Sequence, residues 1–201
     1  YSYPDLVVSM DKFYQGKNWN DAHSLLYAKG DFMLNIRQFV DFLNLLQSGQ
    51  VFDGNGQLVD KNKLESVLDE IVTVRSPWRS EWLDAKFESK GSFRGFGSKM
   101  IIHYDHTLAS GKLQAGKTEE LVNYLDSTKN PGIDMNDWFL NANEQGLPKP
   151  TVQDGSMYYW KPVSDRVARF FAGSYVAYLY CDRNPSYSDA AFGVRAARPK
   201  N

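Results

Sequence analysis

Cysteine is almost missing from this chain: Cys181 stands alone in 201 residues. That excludes an intrachain disulfide, so the fold must be held by its core. An excess of positive charge is missing too. Lys and Arg number 23 against 24 Asp and Glu, a formal net charge of −1, which excludes the broad basic surface of non-specific nucleic-acid or anionic-membrane binding. No apolar run approaches the roughly 20 residues of a membrane-spanning helix. Tyr1-Ser2-Tyr3-Pro4 has neither the basic start nor the apolar run of a signal peptide. One further absence is local. Between Pro162 and Arg198 there is no Lys, Glu, Gln, Met or Trp, although all five types occur before Pro162.

What that segment does hold is Tyr, Ser, Asp, Asn, Phe, Gly, Ala, Val and Arg, as in Phe170-Phe171-Ala172-Gly173-Ser174-Tyr175. Tyr with Ser, Gly and Asn is the composition of binding loops. Tyr offers a large amphipathic contact for little lost side-chain entropy, and the small polar residues adapt their hydrogen bonds. The five absent types are also the ones that a codon ending in a pyrimidine cannot encode. A segment diversified by randomising the adenines of Asn codons would lack them for that reason.

The length suits one domain, able to bury roughly 70% of its unfolded surface. Helical periodicity comes first. Trp19 to Tyr27 reads as a short helix with Asn20 or Asp21 as N-cap and Gly30 beyond its end, followed by a strand at Phe32-Met33-Leu34. Ile36, Phe39, Val40, Leu43 and Leu46 form one apolar stripe ended by Gly49. A turn at Asp53-Gly54-Asn55-Gly56 precedes a helix over Lys63–Val72, with Leu64, Val67, Leu68 and Ile71 inward. Glu81–Phe87 and Lys99–Tyr104 read as strands joined by a Gly-rich connection from Gly91 to Gly97. Short helices are expected at Thr118–Leu125 and Met135–Asn141. Short strands follow at Met157–Trp160, Val167–Phe170, Val176–Cys181 and Gly193–Ala197. Helices before strands argue an α+β fold. Within Val176–Asp182 the alternation places Ala177, Leu179 and Cys181 on a packed face and Val176, Tyr178, Tyr180 and Asp182 on a displayed one.

Four motifs bear on chemistry. Gly111-Lys112-Leu113-Gln114-Ala115-Gly116-Lys117-Thr118 matches the P-loop pattern, which works when a buried strand runs directly into the loop and a helix follows it. Six residues, Asp105 to Ser110, separate the strand from Gly111, so a polar surface loop at a helix start is the simpler reading. His103-Tyr104-Asp105 resembles half of a two-His-one-carboxylate iron site, but no His follows His106. Asp53-Gly54-Asn55-Gly56-Gln57 begins like a calcium loop, yet Leu58 stands where its sixth residue must be Gly. Asp84-Ala85-Lys86 could end a nuclease motif but lacks an upstream carboxylate partner. Trp19, Trp78, Trp82, Trp138 and Trp160 read as core or seam residues. A P-loop phosphotransferase centred on Lys117, or a metal-dependent hydrolase using His103, Asp105 and His106, stands as the enzymatic alternative.

Gly155-Ser156-Met157-Tyr158-Tyr159-Trp160, Val167-Ala168-Arg169-Phe170 and Gly193-Val194-Arg195-Ala196-Ala197-Arg198 frame the unusual segment. With Trp19-Asn20-Asp21-Ala22-His23, the Ile36–Leu46 helix and Trp78–Ala85, this layout resembles the variable proteins of diversity-generating retroelements, of the archaeal viral type. The resemblance covers most of the chain. It implies a single C-type lectin domain over residues 1–201, of the subgroup shared with formylglycine-generating enzymes. Residues of about 162–198 would form a hypervariable ligand-binding region, displayed to a protein or cell-surface partner from a virion or a cell. The chain lacks the calcium motif and disulfides of sugar-binding lectins and the Cys pair of the oxidases, so no cofactor and no catalysis is expected. Carried over position by position, the diversified set is Phe171, Gly173, Tyr175, Val176, Tyr178, Tyr180, Asp182, Asn184, Tyr187, Ser188 and Asp189. Arg169, Cys181, Gly193, Val194 and Arg195 would be scaffold, with Arg183 and Phe192 assignable to either class.

Overall fold

The computed structural model describes residues 2–91 and 98–200. The Gly-rich connection expected from Gly91 to Gly97 therefore lies, but for Gly91, outside the described residues. The elements run β1 (Leu6–Val8), α1 (Trp19–Tyr27), β2 (Phe32–Met33), α2 (Ile36–Ser48), α3 (Lys61–Val72), β3 (Arg79–Lys90), β4 (Lys99–Ala109) and β5 (Lys112–Glu120). They continue through β6 (Gly132–Ile133), α4 (Met135–Asn141), β7 (Met157–Trp160), β8 (Arg166–Ala172), β9 (Ala177–Arg183), β10 (Phe192–Gly193) and β11 (Ala196–Pro199). The chain is mixed α and β, with more strand than helix.

Capping fixes where the helices start. Asn18, not Asn20 or Asp21, caps α1 by accepting from the Asp21 backbone amide. Asn35 and Gln38 form a capping box on α2, and Gly49 closes it in the left-handed region at φ 68. Asp60 accepts from the amides of Asn62 and Lys63, which starts α3 at Lys61 rather than Lys63.

A large sheet in the order β5-β4-β3-β8-β9-β7-β6 carries the molecule, with β10 pairing alongside β3, while β1-β11-β2 ties the two ends of the chain together. One face of the large sheet is covered by α2, α3 and α4. Phe39, Leu43, Leu46, Leu64, Ile71, Trp138 and Phe139 meet Leu83, Phe87, Phe170, Leu179 and Cys181 there in a fully buried cluster. The other face is covered in part only. Trp19, Ala22 and Leu26 of α1 join Trp82, Val167, Phe192 and Val194 in a second, smaller cluster. Buried Arg195 locks the side covered by α2 and α3: its guanidinium meets Glu70 of α3 at 2.7 Å and Glu81 at 2.9 Å and donates to the Met10 carbonyl. Among the described residues no helix is long and apolar enough to cross a membrane.

The helix expected at Thr118–Leu125 is not formed. Residues Lys112–Glu120 are a strand, joined to β4 by a two-residue turn at Ser110-Gly111 with φ 51 and 74 and paired with it from Ala109↔Lys112 to Ile101↔Glu120. The stretch has no apolar stripe to bury as a helix, whereas as a strand it satisfies the peptide groups of β4. Its side chains then find partners across the hairpin, Lys99 to Glu120 at 2.7 Å and Tyr104 to Glu119 at 2.7 Å.

Candidate functional site

Directly paired residues on neighbouring strands share a face, and the pairing of β8, β9 and β7 assembles an aromatic floor. Phe171 lies opposite Tyr178 and Arg169 opposite Tyr180, while Tyr158 and Trp160 of β7 lie opposite the same two tyrosines. The Tyr178 and Tyr180 rings stack at 5.0 Å and 7°. Tyr158 stacks on Tyr178 at 5.9 Å, Trp160 meets Tyr180 at 5.7 Å, and Phe171 touches Tyr178 at 5.5 Å and Trp78 at 5.1 Å. Arg183 lies over the Tyr180 ring at 4.1 Å while holding Asp182 through two 2.7 Å hydrogen bonds. On the reverse of the same strand Ala177, Leu179 and Cys181 are buried. Burial pushes the Cys181 thiol well above its ordinary value.

Of the eleven expected positions, Tyr175 stands at the turn after β8 and is 96% exposed, and Tyr187 is 54% exposed. Asn184 and Ser188 are exposed, and Phe171, Val176, Tyr178, Tyr180 and Asp182 are half-buried members of the floor and its margin. Two positions do not fit a displayed set. Gly173 is buried, and a Cβ there would stand 2.6 Å from the Val176 carbonyl oxygen, so any side chain requires the turn to move. Asp189 spends its carboxylate on the Ala191 amide at 2.9 Å and so holds a turn. The five expected scaffold residues are all buried, as is Phe192. The sequence reading missed Tyr158 and Trp160 as members of this surface. Met157-Tyr158-Tyr159-Trp160 alternates in burial, but its four residues are all large and apolar or aromatic, so neither that alternation nor the parallel pairing with β9 shows in the sequence.

Beneath the floor lies Arg169, only 5% exposed. Its guanidinium faces the rings of Phe192 at 4.3 Å, Tyr180 at 5.2 Å, and Phe171 and Trp82 at 5.6 Å. Nε and Nη1 have no hydrogen-bond partner. Burial and then the neighbouring Arg183 charge lower its pKa to about 10, so it stays a cation at neutral pH, held largely by ring faces.

The motifs that suggested enzymes are placed elsewhere. Gly111 is half of the β4–β5 turn, and Gly116 and Lys117 lie within β5. No helix follows Thr118, so the segment lacks the amides of a helix start on which a phosphate would sit. His103 bonds Thr118 at 2.9 Å and Glu88 at 3.0 Å on the strand surface, and Asp105 accepts from Asn35 at 3.0 Å. Neither joins His106. A different trio does: His23 of α1, Asp84 of β3 and His106 of β4, all buried, bring one ligand-type atom each within 4.8 Å of one another. His106 Nδ1 is 2.5 Å and His23 Nε2 3.5 Å from Asp84 Oδ1. Burial is the largest cause that lowers the His23 pKa to about 4, against the opposing pull of Asp84. Comparison with family models, curated proteins and solved structures gives no match.

Proposed function

We propose that the chain is a non-catalytic recognition protein, a diversity-generating-retroelement variable protein with a C-type lectin fold, whose aromatic floor binds a protein partner at a virion or cell surface. The observation that carries this reading is a coincidence of two independent boundaries. The codon-restricted segment supplies Phe171, Tyr178 and Tyr180 to a half-exposed surface, while the alternate residues Ala177, Leu179 and Cys181 close the core behind it. Rings flanked by an Arg are the side chains that anchor protein interfaces. The floor is spread over three adjacent strands instead of sunk in a hole, and a cleft of about 450 Å³ beside His23 and His106 involves none of its residues. A flat aromatic surface favours a macromolecular partner over a small molecule. The phosphotransferase and hydrolase alternatives have weaker support, since Lys117 sits in a hairpin strand and His103 and Asp105 lie apart from His106.

The test is genetic and then physical. Sequencing the flanking DNA should find a near-copy of the 162–198 coding segment that differs at adenines, with changes at Tyr175, Tyr178, Tyr180 and Tyr187 and none at Leu179 or Cys181. Replacing those four tyrosines by Ser should abolish partner binding and shift the melting temperature by only a few degrees. Natural variation spread evenly over Leu179, Cys181 and Tyr178 would sink the display reading.

A further inference from the structure

The His23, Asp84 and His106 cluster is assembled by local distortions in two different strands, and each distortion aims a side chain at the same point. In β3 the register against β8 slips between Leu83 and Lys86, leaving Asp84 and Ala85 as extra residues. Such a bulge re-aims a side chain, and here it turns Asp84 inward. In β4 Asp105 adopts φ 54, and Gly116 opposite it is the residue that permits this, since a Cβ there would lie 2.7 Å from the Asp105 carbonyl oxygen. The kink turns His106 toward Asp84, whose Oδ2 accepts the His106 amide at 2.8 Å. From α1, Trp19 sets its ring edge-on to both imidazoles, at 4.2 Å from His23 and 5.1 Å from His106, and anchors itself through Nε1 to the Leu83 carbonyl at 2.9 Å.

All this construction leaves an imbalance. Asp84 is 1% exposed and carries a carboxylate toward two imidazoles, and His23 Nε2 has no hydrogen-bond partner although His23 is 3% exposed. A buried carboxylate and an orphaned imidazole nitrogen are both costly in protein interior. One cation between them answers both costs.

We propose that His23, Asp84 and His106 bind a single divalent transition-metal ion of the zinc class. Two imidazoles and one carboxylate select such ions over magnesium or calcium, which prefer all-oxygen sets. Ligand atoms on a tetrahedral ion at about 2.0–2.1 Å stand roughly 3.3 Å apart. The His23–Asp84 separation of 3.5 Å already suits this. The 2.5 Å His106–Asp84 contact has to open by roughly 0.8 Å to reach that spacing, with the His106 proton moving to its other nitrogen. His23 and His106 also line the cleft of about 450 Å³ whose rim includes Tyr27, Asp31 and Phe32, so the fourth position faces a space open to water or a small anionic ligand. The site is independent of the aromatic floor and of the role proposed for it.

The test titrates the chelator-treated full chain with Zn²⁺ by calorimetry and with Co²⁺ by visible absorption, with Mg²⁺ and Ca²⁺ as comparisons. One equivalent of Zn²⁺ and of Co²⁺ should bind, with Co²⁺ giving the intense bands of a four-coordinate site that Zn²⁺ then abolishes, and Mg²⁺ and Ca²⁺ should give no saturable signal. Asp84→Asn and His23→Phe should each weaken Zn²⁺ binding by at least about 100-fold, and His103→Gln should leave it unchanged. If either variant fails to fold, histidine ¹⁵N spectra of the wild type decide: Zn²⁺ must shift the ring nitrogens of His23 and His106 and leave those of His103 in place. A folded wild-type protein that takes up no stoichiometric Zn²⁺ or Co²⁺, or uptake that depends on His103, overturns the proposal.

Discussion

The sharpest perturbation contrasts two faces of one strand. Leu179 is 0% exposed and is paired with Phe170 on one side and Tyr159 on the other. Cutting it to Ala removes about three methylene equivalents, roughly 2.4 kcal/mol by transfer alone. Phe170 and Tyr159 are held in neighbouring strands and are themselves fully buried, so the space cannot collapse and a cavity term adds to the loss. The sum should fall in the upper part of the range of about 2–5 kcal/mol seen for such truncations. Tyr178, one residue away, is half-buried and keeps only ring contacts with Tyr158, Phe171 and Tyr180. Those contacts in a partly wet site make Tyr178→Ala worth about 1 kcal/mol. Tyr180→Ala should cost slightly more, because it also uncovers Arg183 and Arg169. Urea denaturation of the three variants gives the answer, read from midpoints at constant m. Equal losses at Leu179, Tyr178 and Tyr180 would mean that the tyrosines belong to the core, and the display face would have to be abandoned.

Cys181 is fully buried with its thiol pushed well above the usual value, and the buried Tyr159 hydroxyl is raised likewise. Native protein should resist thiol reagents at pH 8 until denatured. Because the unfolded thiol ionises first, stability should fall as pH rises from about 9 toward the higher folded value, and Cys181→Ala should lessen that fall; a thiol that reacts at once in native buffer refutes the burial. Lys117 sits in β5 near the Tyr104 ring, so ATP–magnesium titration should give no saturable heat, and micromolar binding lost in Lys117→Ala would restore the P-loop reading.

The helices were legible because their signals are local. The stripe from Ile36 to Leu46, the Asn35 cap and Gly49 all lie within one stretch of chain, and the observed α2 differs from expectation only by its last two residues. The alternation of Ala177 to Asp182 was legible for the same reason. Signals that depend on distant partners were not. β5 is a polar strand whose only cause is the unpaired edge of β4, and a run such as Lys117-Thr118-Glu119-Glu120 carries no period that announces this. The metal-type cluster was not legible because the spacing of a two-His-one-carboxylate site places its second histidine well downstream of His103. The structure supplies His23 from upstream, takes the carboxylate from the bulge at Asp84 and leaves His103 out. Neither the bulge nor the kink at Asp105 has a sequence period of its own.

A surface that changes from copy to copy sets a hard condition on what lies beneath it. Arg169 meets two rings from the expected diversified set, Phe171 and Tyr180, together with Trp82 of β3 and Phe192, the latter assignable to either class. An apolar residue there would need an apolar roof in every variant, because each polar replacement above it would leave buried apolar area facing water. A guanidinium has no such requirement. Under aromatic replacements it is held by ring faces, and under Ser, Asp or Asn its unpartnered Nε and Nη1 can donate hydrogen bonds to the new side chain or to entering water. The Trp82 ring, outside the 162–198 segment, stays beside it in either case. On the display reading, a buried cation below a variable aromatic floor lets the scaffold accept both polar and aromatic roofs without repacking, whereas Leu179 on the reverse face accepts neither.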